Sequence, residues 1–194
     1  MDSAIAECLT RRYVLFSCEG TAEGIVIQTL YNNGRLVVPR DLVVMDNCMV
    51  NRPYTRLREA RKIADEYFGM SYESDIASGL TVARIVDSRS PKFDFPKRKQ
   101  NGTKVLSFYT RPEIEMLVIH AEGAFGEWQK ASRRQRQLKP SDFCKQALGF
   151  PRVKEVPFLR EYWSDVEKLI SAIDSHAEHA RRGPGELLLK DLVS

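Results

Sequence analysis

The sequence predicts an α/β protein: a small parallel sheet flanked by helices, followed by a helical C-terminal extension. Three observations carry that expectation. Apolar runs of strand length at Tyr13–Cys18, Leu80–Asp87 and Ser107–Thr110 are separated by segments with helical spacing, and strands alternating with helices favour a parallel sheet. The first run stops at Glu19-Gly20, a carboxylate on a glycine turn, and gives way to Ile25, Val26 and Leu30 at helical spacing. Beyond Pro112 the pattern is mostly helical.

The 194 residues suit one domain, and a hydrophobic content of 43% is enough to build a core, which excludes global disorder. Residues 1–125 read as the α/β unit and 126–194 as a helical extension packed on it, with no repeat, low-complexity tract or sharp linker. The 30 basic and 26 acidic residues leave a net charge of +4, which permits a nucleic-acid partner without demanding one. Cys8, Cys18, Cys48 and Cys144 form no CxxC pair, so a structural zinc site is not expected, and Cys18 reads as a small buried hydrophobe. Met1–Thr10 lacks the basic start of a signal peptide, and no window approaches the roughly 18 apolar residues of a membrane span. The expected setting is soluble and cytoplasmic, with reduced thiols and no membrane partner.

In chain order, a strand over Tyr13–Cys18 leads to a short helix from about 22 to 32, stopped by Asn32-Asn33-Gly34. Arg35–Pro39 is a second strand candidate, which Asp41–Met45 extends or pairs with, and Asn51–Arg56 reads as a loop. A helix over Leu57–Phe68 places Leu57, Ala60, Ile63, Ala64 and Tyr67 on one face. Leu80–Asp87 is the next strand and also ends on an acid; residues 89–104 are rich in Pro, Lys and Arg and read as an exposed loop. After the strand at Ser107–Thr110, Pro112 opens a helix through about Glu122. Further helices are expected over 125–137, from Ser141, and from Pro157 to Arg181, with the Leu-rich tail docking as a final turn.

Glu19 and Asp87 both end strands. In a parallel sheet two such ends share the C-terminal edge, where open α/β sheets hold ligands. A carboxylate pair there suits Mg²⁺, which keeps several waters and takes one or two protein carboxylates, and which polarises phosphodiesters or activates water. The plainer account is a helix cap or a loop salt bridge. In Arg111–His120, Glu113 and Glu115 are two apart, so a helix would point them to different faces, while His120 falls near the Glu113 face. His120 is either a satisfied, partly buried histidine or a site wall able to carry a proton.

Glu19-Gly20-Thr21-Ala22-Glu23 resembles the glutamate motif that opens Toprim domains. Arg111-Pro112-Glu113-Ile114-Glu115-Met116-Leu117-Val118-Ile119-His120 resembles a segment of RloB-like proteins, relatives of OLD-type nucleases; Pro112, Glu115 and His120 keep that family's Pro, Glu and His. Ile85–Arg89 falls where the family has a second acidic motif, and Val166–Ile173 with Arg181-Arg182 falls where it has a basic C-terminal helix. The resemblance implies a Toprim fold with Mg²⁺ (or Mn²⁺) held among acids at one sheet edge. It implies Glu19 as acid/base or metal ligand, Asp87 as the main ligand, Glu115 completing the site, and Glu23 and His120 behind them. It further implies a metal-dependent nuclease of bacterial anti-phage defence, or a partner of an ATPase. Arg89 stands where the family has another acid, with Asp94 as the nearest substitute; Arg111 replaces Asn, and Thr21-Ala22 replaces x-Thr. A cation beside the metal weakens its binding, so a catalytically inactive regulatory or nucleic-acid-binding subunit is the alternative.

Basic groups run from Arg52 to Lys62, at Arg84 with Arg89, from Lys92 to Lys104, and from Arg133 to Lys139. Lys97, Arg98 and Lys99 lie near Phe93 and Phe95, the mix of charge and aromatics that single-strand binders use, although any one group is equally a solvated face. The expected partner is nucleic acid, DNA or RNA, tRNA included. A generic phosphoryl-transfer enzyme is disfavoured by the lack of a Gly-Lys-Ser/Thr phosphate loop.

Overall fold

A computed structural model describes residues 2–49, 51–87, 93–96, 102–183 and 185–194. Arg89, Lys97, Arg98 and Lys99 lie outside the described residues. The strands are β1 (Tyr13–Cys18), β2 (Tyr54–Thr55), β3 (Leu80–Val86), β4 (Lys104–Tyr109) and β5 (Leu187–Leu188). They form one sheet in the order β2-β1-β3-β4-β5, with every pair parallel. The α/β class with a small parallel sheet flanked by helices is therefore the class the protein has.

Helices cover both faces. Val14, Phe16 and Cys18 of β1 and Ala83 and Ile85 of β3 point into the larger core. That core is closed by α1 (Ser3–Thr10), α2 (Thr21–Asn32), α4 (Met116–Ala121), α6 (Pro140–Gln146) and α8 (Val166–His179). The alternate residues Leu15, Leu80 and Val82 face a smaller cluster under α3 (Ala60–Tyr67), made with Ile63, Ala64, Tyr67 and Phe95. Apolar burial on both faces is why these strands read as continuous apolar runs. Around them lie α5 (Phe125–Arg134) and α7 (Val156–Tyr162). No described helix is long and apolar enough to cross a membrane.

The chain leaves β1 through α2 on one face and returns from β2 through α3 on the other. The strand order therefore switches direction between β1 and β3, and the departing helices leave a crevice beyond the carboxyl ends of those strands. Gly24 lets α2 approach β2: a Cβ there would lie 2.3 Å from the Tyr54 ring.

Several local expectations are corrected. Residues 35–45 are not strands. Leu36 and Val43 make isolated bridges to Val193 and Val14, and Arg40–Leu42 is a 3₁₀ turn after Pro39, which offers no N–H to a ladder. The loop expected over 51–56 contains β2, an edge strand too short to show a periodicity. The third helix begins at Ala60, not Leu57, whose carbonyl is occupied by the Ser17 hydroxyl at 2.7 Å. The helix expected from Pro112 begins at Met116, because residues 113–115 form a turn whose carboxylates serve elsewhere. The single helix expected from Pro157 to Arg181 is two. Asp165 breaks it by accepting the N–H groups of Glu167 (2.9 Å) and Lys168 (3.3 Å), which caps α8. The Leu-rich tail does dock, but as β5 against β4 followed by a 3₁₀ turn over Leu189–Leu192, so the expected helical extension also supplies the fifth strand.

Candidate functional site: an acidic cleft beside a basic pocket

Glu19 follows β1 and Asp87 follows β3, and the pairing of Cys18 with Ile85 sets these strand ends side by side. Asp87 donates its backbone N–H to Glu19 Oε2 at 3.2 Å. Gly20 then turns the chain into α2, which places Glu23 in the first turn of that helix. A Cβ on Gly20 would lie 2.7 Å from Glu23 Oε2, so the glycine leaves room for that carboxylate to fold back over the turn. From the other side, Glu113 and Glu115 arrive on the turn before α4. These five carboxylates line one cleft of about 310 Å³, and among the described residues Lys154 is the only cation in its wall. Lys154 Nζ stands 3.6 Å from Glu113 Oε1 and 3.7 Å from Glu115 Oε1. The two glutamates expected to diverge on a helix therefore share a site, because neither lies within one.

The crowding shows in the acid strengths. Glu23 is 6% exposed, and burial pushes its carboxyl up to about 7, with Glu115, Asp87 and Glu19 adding repulsion. Burial also raises Glu115, which Lys154 partly offsets. Glu19 is raised by burial and by the Asp87 carboxylate, against the Asp87 N–H hydrogen bond. A hard-oxygen donor set carrying negative charge in excess of that on Lys154 fits a divalent cation such as Mg²⁺. Among the described residues no group of three or more His, Cys, Asp or Glu stands in metal-holding geometry. An ion at this cleft would thus rest on the pair Glu19 and Asp87 with water completing its shell. Asp94 is exposed and outside the cleft wall.

His120 lines a different hollow. It meets His176 and His179, so all three histidines of the chain gather there. Its Nδ1 is 2.9 Å from Ser175 Oγ, its ring stacks on Phe125 at 4.7 Å, and burial with the two neighbouring imidazoles lowers it to about 4. His176 and His179 lie three apart on α8; that spacing was the one sequence signal for this cluster, and it is also what a buried helix face shows.

On the opposite face of the sheet edge lies a second hollow of about 380 Å³. Arg56, Arg58, Lys62 and Arg84 line it, with Glu59 and, at the rim it shares with the cleft, Glu19. Arg52, from the same basic run, is committed elsewhere: it pairs with Asp46 at 2.8 Å and lies over the Tyr54 ring.

Compared with models of known protein families, with curated proteins and with solved structures, the chain has no match in any of the three. Fold and geometry define it as an α/β protein with a parallel sheet and an acidic cleft at the topological switch point.

Proposed function

We propose that the protein is a divalent-metal-dependent nucleic-acid phosphodiesterase, resembling the RloB-like Toprim proteins of anti-phage defence. The observation that carries this reading is the convergence of Glu19 and Asp87 across the carboxyl ends of adjacent parallel strands, joined by the 3.2 Å hydrogen bond. Supporting it are the Glu19–Glu23 motif on its strand-to-helix turn and Glu115 in the same cleft wall. Glu19 and Asp87 would hold Mg²⁺ or Mn²⁺, which when bound supplies Lewis acidity toward a phosphodiester oxygen and an acidified water. Glu23, titrating at about 7 in the metal-free cleft, is poised to hold or release a proton beside them. Lys154 orients Glu115 and Glu113 and offsets part of their charge.

The test is cleavage of DNA, RNA and tRNA with Mg²⁺ or Mn²⁺ by the wild type, Glu19→Gln and Asp87→Asn. Metal-dependent cleavage lost in both variants is the expected result; equal cleavage by all three, or none by the wild type, overturns the reading. A second reading, an inactive Toprim-like subunit that regulates an ATPase or binds nucleic acid, is favoured by one observation: Lys154 already neutralises two of the five carboxylates, one of them the matching Glu115. It expects no cleavage and no Mn²⁺ binding heat.

A further inference from the structure

The basic hollow on the α3 face is built around a buried cation. Arg84 sits in the middle of β3, only 8% exposed. Parallel register sets it in a row of polar side chains across four strands: Thr55 beside Ser17, Ser17 beside Arg84, and Arg84 beside Ser107. This row interrupts strands that are otherwise apolar on that face. Its hydroxyls are largely committed, since Ser17 donates to the Leu57 carbonyl at 2.7 Å and Thr55 accepts the Leu57 N–H at 3.2 Å. Arg84 itself has weak partners. Nη1 reaches Ser107 Oγ at 3.5 Å, and the guanidinium lies 4.1 Å from the centre of the Phe93 ring. Among the described residues no carboxylate forms an ion pair with Arg84, Arg56 or Arg58, and Lys62 is the partner of Glu59 at 2.6 Å. Glu19, in the same wall, acts on Arg84 only from beyond ion-pair distance; burying a guanidinium with no anion in contact is costly, and a bound anion relieves that cost. Arg56 and Arg58 are exposed at the mouth, so positive charge runs from the solvent side inward to a fixed, planar donor.

We propose that this hollow is a phosphate-binding subsite for a nucleic-acid backbone, with Arg84 as its buried floor and Arg58 and Arg56 as its outer clamp. Guanidinium forks match phosphate oxygens in geometry as well as charge. A backbone, rather than a free phosphate compound, is indicated by the shared wall: Glu19 belongs to both hollows. A single strand crossing the sheet edge places one phosphate over Arg84 while a neighbouring one reaches the acidic cleft, since successive phosphates recur about every 3.4 Å of axis in a helical strand. An isolated phosphate dianion would gain nothing from that continuity. The placement deepens the nuclease reading by fixing the path of the substrate, yet binding in the hollow does not need the metal.

The experiment measures anisotropy of a labelled short single-stranded oligonucleotide in EDTA over a salt series. Arg58→Ala and Arg84→Gln are each expected to weaken binding about tenfold, and to reduce the log–log salt slope by about 0.7. Glu19→Gln and Asp87→Asn, each removing a negative charge beside the path of the strand, are expected to bind at least as tightly as the wild type. Wild-type affinity and slope in Arg58→Ala overturn the subsite; because that side chain is exposed, the result stands even if Arg84→Gln fails to fold. Inorganic phosphate or a mononucleotide displacing the oligonucleotide at comparable concentration overturns the backbone assignment in favour of a free phosphate compound. Loss of binding in the arginine variants, from a wild type that shows no metal-dependent cleavage, keeps the subsite and removes the nuclease.

Discussion

The acidic cleft and the basic hollow lie at the same edge of the same sheet and are similar in size, about 310 and 380 Å³, yet opposite in charge. What separates them is the side of the sheet. The cleft opens where α2 leaves β1, and its acids come from strand ends, the first turn of α2 and the turn before α4. The hollow opens on the α3 side, and its cations come from a strand interior and the segment after β2. Glu19, ending the central strand of the switch, belongs to both. A parallel sheet can thus present a cation site and an anion site a few residues apart. They meet at Glu19, whose carboxylate interacts with the guanidinium groups of Arg58 and Arg84.

The strongest way to break this division is to remove the metal-side acids. Asp87→Asn or Glu19→Gln should lower Mn²⁺ affinity at least about 100-fold without weakening oligonucleotide binding in EDTA, as calorimetry and anisotropy will show. If both kinds of binding fall together, the two hollows are one site.

The pH dependence sharpens the cleft alone. Glu23 has a folded-state pKa raised to about 7, so its stabilising protonated form is fully present below the ordinary carboxyl value and is lost as pH rises through 7. In metal-free protein, Glu23→Gln should equal the wild type near pH 4 and exceed it by at most about 3 kcal/mol above pH 8, read from urea unfolding. His120 has the opposite sign: lowered to about 4, its contribution is lost as pH falls from about 6.5 toward 4.

Gly24→Ala probes the other side. The new methyl would collide with the Tyr54 ring, costing about 1–3 kcal/mol in thermal unfolding and shifting the strand that leads into Arg56 and Arg58. Oligonucleotide affinity should fall although no charge has changed. The smallest effect belongs to Lys154→Met. Removing this cation from the cleft wall should raise Mn²⁺ affinity about threefold and leave the hollow untouched.

Much of the acidic cleft was legible in the sequence. Glu19 and Asp87 could be placed because a strand that stops on an acid puts that acid at the sheet edge, and parallel alternation puts both at the same edge. Glu113 and Lys154 could not. Glu113 was assigned to a helix that begins only at Met116, and Lys154 lies on a connection between α6 and α7 with no periodic signal. The basic hollow was visible only as scattered charge. Arg84 figured only as one of the basic groups, with Arg89, and its alignment with Ser17, Thr55 and Ser107 is a matter of register between strands, which no single segment encodes. The cluster of His120, His176 and His179 depends on the packing of α4 against α8, which the spacing of His176 and His179 on one helix does not reveal.

Local chemistry was enough to specify β1, β3 and β4, most of the helices and the acids that close β1 and β3, because side-chain periodicity and turn residues act over a few neighbours. Which hollow each charged group enters was settled by folding. Glu19 and Asp87 meet across 68 residues of sequence, and the face each segment covers depends on the direction its crossover takes around the sheet. That direction is a property of the packed chain, where α2 and α3 bury their apolar faces on opposite sides, and it has no signature in any one stretch of residues.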